Sequence, residues 1–236
     1  MGRKIRGWKG WSPVVITRYW MVQGMSYMNW TERAHRLAVE GVFALLAWWA
    51  LGSVLDGWGR LFAGVVAGHT ASMVFNGHLF ALLKHDLRWF GFYKELPEFL
   101  AYVQRLQLRL LTNRPRGLAR AEIYGSLSRR SFSETSDLDL RFIARAGFAN
   151  GFLVAHAVFL ERLWALLHRF PLDLYMFHSE DELRAKMNVA KEKGLVVYRA
   201  DEAAQALSVT DLSQRMGGEI SLDEDLGSGA EGRRRQ

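Results

Sequence analysis

Residues 121–142, AEIYGSLSRRSFSETSDLDLRF, constrain the fold of this chain more than any other stretch. A short apolar run, Ile123 and Tyr124, stops at Gly125-Ser126. A polar loop with Arg129 and Arg130 follows, and the stretch closes on Asp137-Leu138-Asp139-Leu140-Arg141-Phe142 in strict alternation. Side chains two apart along a strand share a face, so Asp137, Asp139 and Arg141 project together while Leu138 and Leu140 enter a core. Two carboxylates held side by side repel unless a cation lies between them. Such hard oxygen donors suit a divalent metal, Mg2+ above all, of the kind that carries nucleotide phosphates. The plain alternative is a solvated pair on an edge strand.

Half of the 236 residues are hydrophobic, enough for a large core or a membrane segment, and the length allows one or two domains. The formal charge of +7 suits anionic partners such as nucleotides, nucleic acid or acidic headgroups. With no cysteine, disulfides and thiolate metal sites are excluded. Six of the nine tryptophans fall in the first 50 residues (Trp8, Trp11, Trp20, Trp30, Trp48, Trp49), a crowding that fits a membrane interface.

Residues 1–36 are basic and aromatic, and 14–30 read as an interfacial helix or a soluble packed segment. Residues 38–55 carry Glu40 as their only charge, and 61–83 contain no Asp, Glu, Lys or Arg. As a helix the second run would extend about 34 Å, enough for a hydrocarbon core of ~30 Å. Asp56-Gly57-Trp58-Gly59-Arg60 between them predicts a tight turn, so 37–83 read as a helical hairpin with two transmembrane helices. A soluble buried hairpin is the alternative. Gly64, Gly68 and Ser72 form a stripe for close helix approach. His69, Asn76 and His78 are read as hydrogen-bonding groups across the helix pair rather than as ligands. Arg33, Arg36, Lys84 and Arg88 flank the pair, which places both termini and the domain that follows in the cytoplasm, at the inner membrane; a soluble cytoplasmic protein is the other reading.

Residues 84–117 contain a linker and an amphipathic helix over 96–111, with Pro97 in its first turn. Within 118–211, 147–151 read as a loop, 152–170 as a helix, 172–177 as an alternating strand, 179–192 as a charged helix and 194–198 as a last strand. Residues 212–236, glycine-rich and charged, predict a disordered tail.

Gly125-Ser126, a gap of ten residues, Asp137-Leu138-Asp139, and Asp173 between two leucines form a pattern that resembles the nucleotidyltransferase superfamily of DNA polymerase beta. Minimal nucleotidyltransferase domains, which close on a segment like Lys193-Gly194-Leu195-Val196-Val197-Tyr198, are the nearer likeness. It covers about a third of the chain, residues 118–198, and leaves out the hairpin. The resemblance implies an α+β fold, a small mixed sheet with flanking helices, behind an α-helical hairpin. It also implies two Mg2+ ions (or Mn2+) held by Asp137, Asp139 and Asp173, with Asp173 helping to deprotonate the nucleophile. Gly125 and Ser126 would then meet the triphosphate, and Arg129 and Arg130 are candidates to pair with phosphate. Arg141 reads as an ion-pair partner, and Tyr175 as packing or as a platform for a base.

The expected function is thus membrane-anchored, Mg2+-dependent transfer of a nucleoside monophosphate, AMP from ATP, to a hydroxyl of a protein, small molecule or lipid-linked acceptor, with release of pyrophosphate. The competing expectation is a catalytically idle nucleotidyltransferase-like partner or antitoxin-type module at the membrane. A nucleic-acid polymerase is not favoured, because no zinc motif, RNA-binding signature or large second domain accompanies the pattern.

Overall fold

The alternation around Asp139 becomes a strand. Four strands, β1 (Leu118–Tyr124), β2 (Leu138–Ala144), β3 (Leu172–Phe177) and β4 (Leu195–Arg199), form one mixed sheet in the order β3-β2-β1-β4. β1 runs antiparallel to both β2 and β4, while β2 and β3 are parallel. Among the described residues seven α-helices accompany the sheet: α1 (Pro13–Val22), α2 (Trp30–Ala50), α3 (Gly57–Phe75), α4 (Leu96–Asn113), α5 (Gly125–Ser128), α6 (Phe148–Leu167) and α7 (Glu180–Lys186). The computed structural model describes residues 13–23, 25, 28–76, 92, 94–129, 131–133, 136–187, 194–201 and 214. Arg130, the first twelve residues, 77–91 with His78, Lys84 and Arg88, 188–193 and all of the expected tail but residue 214 lie outside the described residues.

Period two sorts the strands into two faces. Leu138, Leu140 and Phe142 of β2, Leu172, Leu174 and Met176 of β3, and Ala121 and Ile123 of β1 point inward. There they meet Phe99, Leu100, Val103 and Leu106 of α4 and Val154, Ala155 and Val158 of α6, all essentially inaccessible to water. Each of the Leu, Ile, Val, Met and Phe side chains among them contributes about 1.5–3 kcal/mol on burial. The start of α4 is fixed by a reciprocal Glu95/Glu98 capping box with Pro97 beside it, and its end by Arg114 in the left-handed region. The opposite sheet face carries Asp139, Arg141, Asp173 and Tyr175, and is covered only in part, where Leu183 of α7 packs on Tyr124, Ile143 and Phe177.

The hairpin forms, with three differences from expectation. Its first helix starts at Trp30, capped by the Asn29 side chain, which accepts from the Glu32 backbone N–H. Thr31, Glu32, His35 and Arg36 are buried against the rest of the protein, so α2 is one helix with a polar root and an apolar shaft. Second, the turn lies at residues 51–56 as a 3-10 turn, and Gly57 and Gly59 already belong to α3. Third, α3 ends at Phe75, where Asn76 caps it and also folds its amide onto the Ser72 carbonyl at 3.0 Å; the rest of the expected run, 77–83, lies outside the described residues. The small-residue stripe does what its spacing predicts. A Cβ on Gly64 would stand 2.9 Å from Trp48 Cβ, one on Gly68 would overlap the Ala44 backbone, and Ser72 is fully buried.

Among the described residues two helices are long and apolar enough to cross a membrane: Trp30–Ser53, which is α2 with its 3-10 turn, and Phe148–Leu167, which is α6. The second expected span, 61–83, lies only in part within the described residues, where it belongs to α3. α6 owes its composition on one side to the core, since Val154, Ala155, Val158 and Ala165 are buried under the sheet.

Candidate metal and nucleotide site

Strand pairing assembles the acidic cluster. In the parallel β2–β3 ladder Asp139 stands directly opposite Asp173, and across β1–β2 it stands opposite Tyr124, the residue before Gly125. Asp137, just ahead of β2, joins them, and one carboxylate oxygen from each of the three lies within 4.8 Å of the others. Leu138 donates its backbone N–H to Pro171 O at 2.8 Å, tying the entry to β2 to the entry to β3. Asp139 of β2, Asp173 of β3 and Asp137 just ahead of β2 therefore converge; alternation aligns the first and last of these, and the parallel pairing brings in Asp173.

The Gly125-Ser126 turn abuts the same point. Gly125 has φ +73° and is buried, and a Cβ there would overlap Asp139 Oδ2, so backbone conformation and space both demand glycine. The Ser126 hydroxyl is buried, with no hydrogen-bond partner among the described residues. A polar atom left so is costly unless something occupies the space beside it. The loop that follows is pinned by Phe132, whose ring packs edge-on against Phe99 with centroids 5.0 Å apart. Arg129 caps α5, donating its backbone N–H to Gly125 O, and is exposed. Of the seven site residues expected from sequence, six are described; Asp137, Asp139, Asp173, Gly125 and Ser126 come together, and Arg129 lies on the adjoining turn.

Arg141 carries the charge that balances the cluster. Its Nη2 donates to Asp139 Oδ1 at 3.2 Å and lies 3.4 Å from Asp173 Oδ2, while Nη1 donates to the carbonyls of Asp173 (2.7 Å) and Leu140 (2.9 Å). The guanidinium also lies 5.1 Å from the centre of the Tyr175 ring, so this tyrosine stacks on a cation and not on core side chains alone. Burial pushes Asp139 up to about 7; Arg141 opposes that rise, while the negative charges of Asp137 and Asp173 add to it. A second bound cation would relieve what Arg141 relieves only in part.

Sequence reading missed a neighbouring group on β1. Tyr124 donates its hydroxyl to Glu122 at 2.6 Å, and Glu122 pairs with Arg120 at 2.8 Å, which also reaches Glu180 at the start of α7. Burial and the Glu122 bond push the Tyr124 hydroxyl upward. The signal was there in the period-two spacing of Arg120, Glu122 and Tyr124, which alternate with Ala121 and Ile123.

The donor set fits Mg2+: all-oxygen, anionic and compact, next to a glycine turn whose backbone a phosphate can approach. No protein-family model matches the chain, and no curated protein or solved structure matches it.

Proposed function

We propose that this chain is a membrane-anchored, Mg2+-dependent nucleotidyltransferase that moves a nucleoside monophosphate, AMP from ATP, to a hydroxyl acceptor. The observation that carries the reading is the meeting of Asp137, Asp139 and Asp173 within 4.8 Å, against a turn where only glycine fits. The acceptor oxygen bonds to the α-phosphorus, the bond from that phosphorus to the bridging oxygen breaks, and pyrophosphate leaves. Mg2+, when bound, supplies charge neutralisation at the phosphates. Asp137, Asp139 and Asp173 would hold it. Asp173, on the edge strand β3, would take the acceptor's proton. Gly125 lets backbone N–H groups approach the triphosphate, and the unpartnered Ser126 hydroxyl donates to it.

The anchor is the α2–α3 hairpin, with both termini and the sheet in the cytoplasm at the inner membrane. Leu45, Trp49, Trp58 and Phe62 around its tip are 67–84% exposed, an apolar surface that water does not favour.

One observation favours the idle-module alternative: Arg141 pairs with both Asp139 and Asp173 and so offsets part of the charge a metal would meet. Equilibrium binding of each of the four nucleoside triphosphates, with and without Mg2+, separates the two readings. The transferase reading expects Mg2+-dependent binding with ATP preferred, lost in Asp139→Ala and Asp173→Ala. Equal binding by parent and alanine variants would remove the site from the proposal.

A further inference from the structure

The face of α6 turned away from the sheet is unusual for a core helix. Leu153, Leu160, Trp164 and Leu167 lie along it at helical spacing and are 42–67% exposed. α2 packs along one flank of α6, through His35 against Phe152 and His156, and on the other flank α6 and α4 border two open grooves of about 430 and 410 Å³. Leu153, Ala157 and Leu160 of α6 supply the apolar side of the first groove, and Trp164 of α6 with Phe170 that of the second. The other wall of each is basic: Arg109 and Arg116 line the first, Lys94 and Arg105 the second. Glu161 pairs with Arg109, and Glu98 with Lys94, which leaves the wall with a net positive charge. The guanidinium of Arg109 stands 5.6 Å from the Trp164 ring, so cation and apolar stripe meet directly.

An apolar stripe beside a row of cations, with a tryptophan at the boundary, matches the layering of an anionic bilayer surface: acyl chains below, phosphates above. A protein partner would need a matched acidic edge, and nothing in the fold specifies one. The apolar surface also continues off α6 toward the hairpin, through the exposed Trp30 stacked on Phe148 at 4.6 Å.

We infer that the α4–α6 face is a docking surface for anionic phospholipid, which holds the sheet flat against the leaflet that the hairpin enters. The inference deepens the membrane half of the proposed function and rests on it. Because α4 and α6 cover the inner sheet face and the acidic cluster lies on the outer one, docking turns the cluster away from lipid. Its acceptor hydroxyl is then carried by a molecule or domain in the aqueous phase, not by a headgroup of that leaflet.

The absence of cysteine makes the test clean. An environment-sensitive fluorophore is attached through Leu160→Cys on α6, Trp49→Cys on the hairpin, or Arg184→Cys on α7, in the otherwise complete chain. Each protein is mixed with phosphatidylglycerol or phosphatidylcholine vesicles. The inference expects a blue shift and loss of iodide quenching at position 160 with phosphatidylglycerol only, and a water-exposed probe at 184. Reversing Arg105 and Arg116 to Glu should weaken phosphatidylglycerol binding on the order of tenfold. A shift at 49 without one at 160 overturns the docking face while the anchor stands; no shift at either overturns both. Equal shifts on the two lipids overturn the role of charge. A probe at 160 already shielded without vesicles means that the chain itself or a second copy covers the face, which also overturns the inference.

Discussion

Arg141 decides how the acidic cluster behaves in the absence of metal. It occupies the space between Asp139 and Asp173 that a cation would claim, so metal binding must displace or share it. Replacing it with Gln should therefore tighten Mn2+ binding at pH 8, on the order of tenfold for one lost charge-assisted bond, as read by titration followed by electron paramagnetic resonance. Weaker binding would instead make Arg141 the residue that positions the carboxylates. The pH dependence has a definite sign. Asp139 titrates near 7 when folded against an ordinary value of 3.8, so its folded-state proton is held too tightly. The stability it confers is full below about pH 4 and is lost as pH rises toward 7 and beyond, and over the same range metal affinity climbs as the carboxylate ionises. The same titration repeated at pH 6 should show weaker Mn2+ binding than at pH 8 in the parent.

At the scale of elements, legibility followed how local the cause was. The strand over 172–177 and the shared face of Asp139 and Arg141 were readable because alternation alone sets them. Residues 147–151 were read as a loop on two glycines, yet only Gly147, with φ +106°, stays outside the helix. Gly151 lies inside α6, because Thr31 and His178 press on the spot where a Cβ would go, a contact between segments far apart in sequence. The hairpin turn was misplaced for a similar reason: Arg60 reaches back over Trp48, with its guanidinium 3.9 Å from the ring centre, and fills the space beside Gly52. The glycines of the hairpin now separate by role. Gly68→Val should cost about 1–3 kcal/mol by forcing α3 off the Ala44 backbone. Gly41→Ala, with nothing within 4 Å of the added carbon, should stabilise by up to ~1 kcal/mol through helix propensity. Thermal unfolding of the two variants in detergent checks the contrast, and equal effects would mean the helices are not packed on that stripe.

Across the whole molecule, polar contacts tie the hairpin to the sheet at its root. Glu32 meets Arg162 at 3.3 Å, Thr31 meets His178 at 2.8 Å, and Glu40 meets His69 at 2.7 Å across the helix pair, while His69 also bonds the Trp20 carbonyl of α1. Arg36 donates to the Gln23 carbonyl at 2.7 Å and to its side chain. The exposed apolar shaft beyond this root predicts that alkaline carbonate washing leaves the chain in the membrane pellet. Asp at Leu45, Trp49 and Phe62 together should release it, as followed by immunoblot of pellet and supernatant.

Since α2 passes unbroken from its oily shaft to the turn that touches Met176 and His178 at the end of β3, it has no joint at which to absorb a tilt. With the hairpin anchored as proposed, a bilayer that thins or thickens around the shaft would tilt α2 as one lever against β3, the strand that carries Asp173.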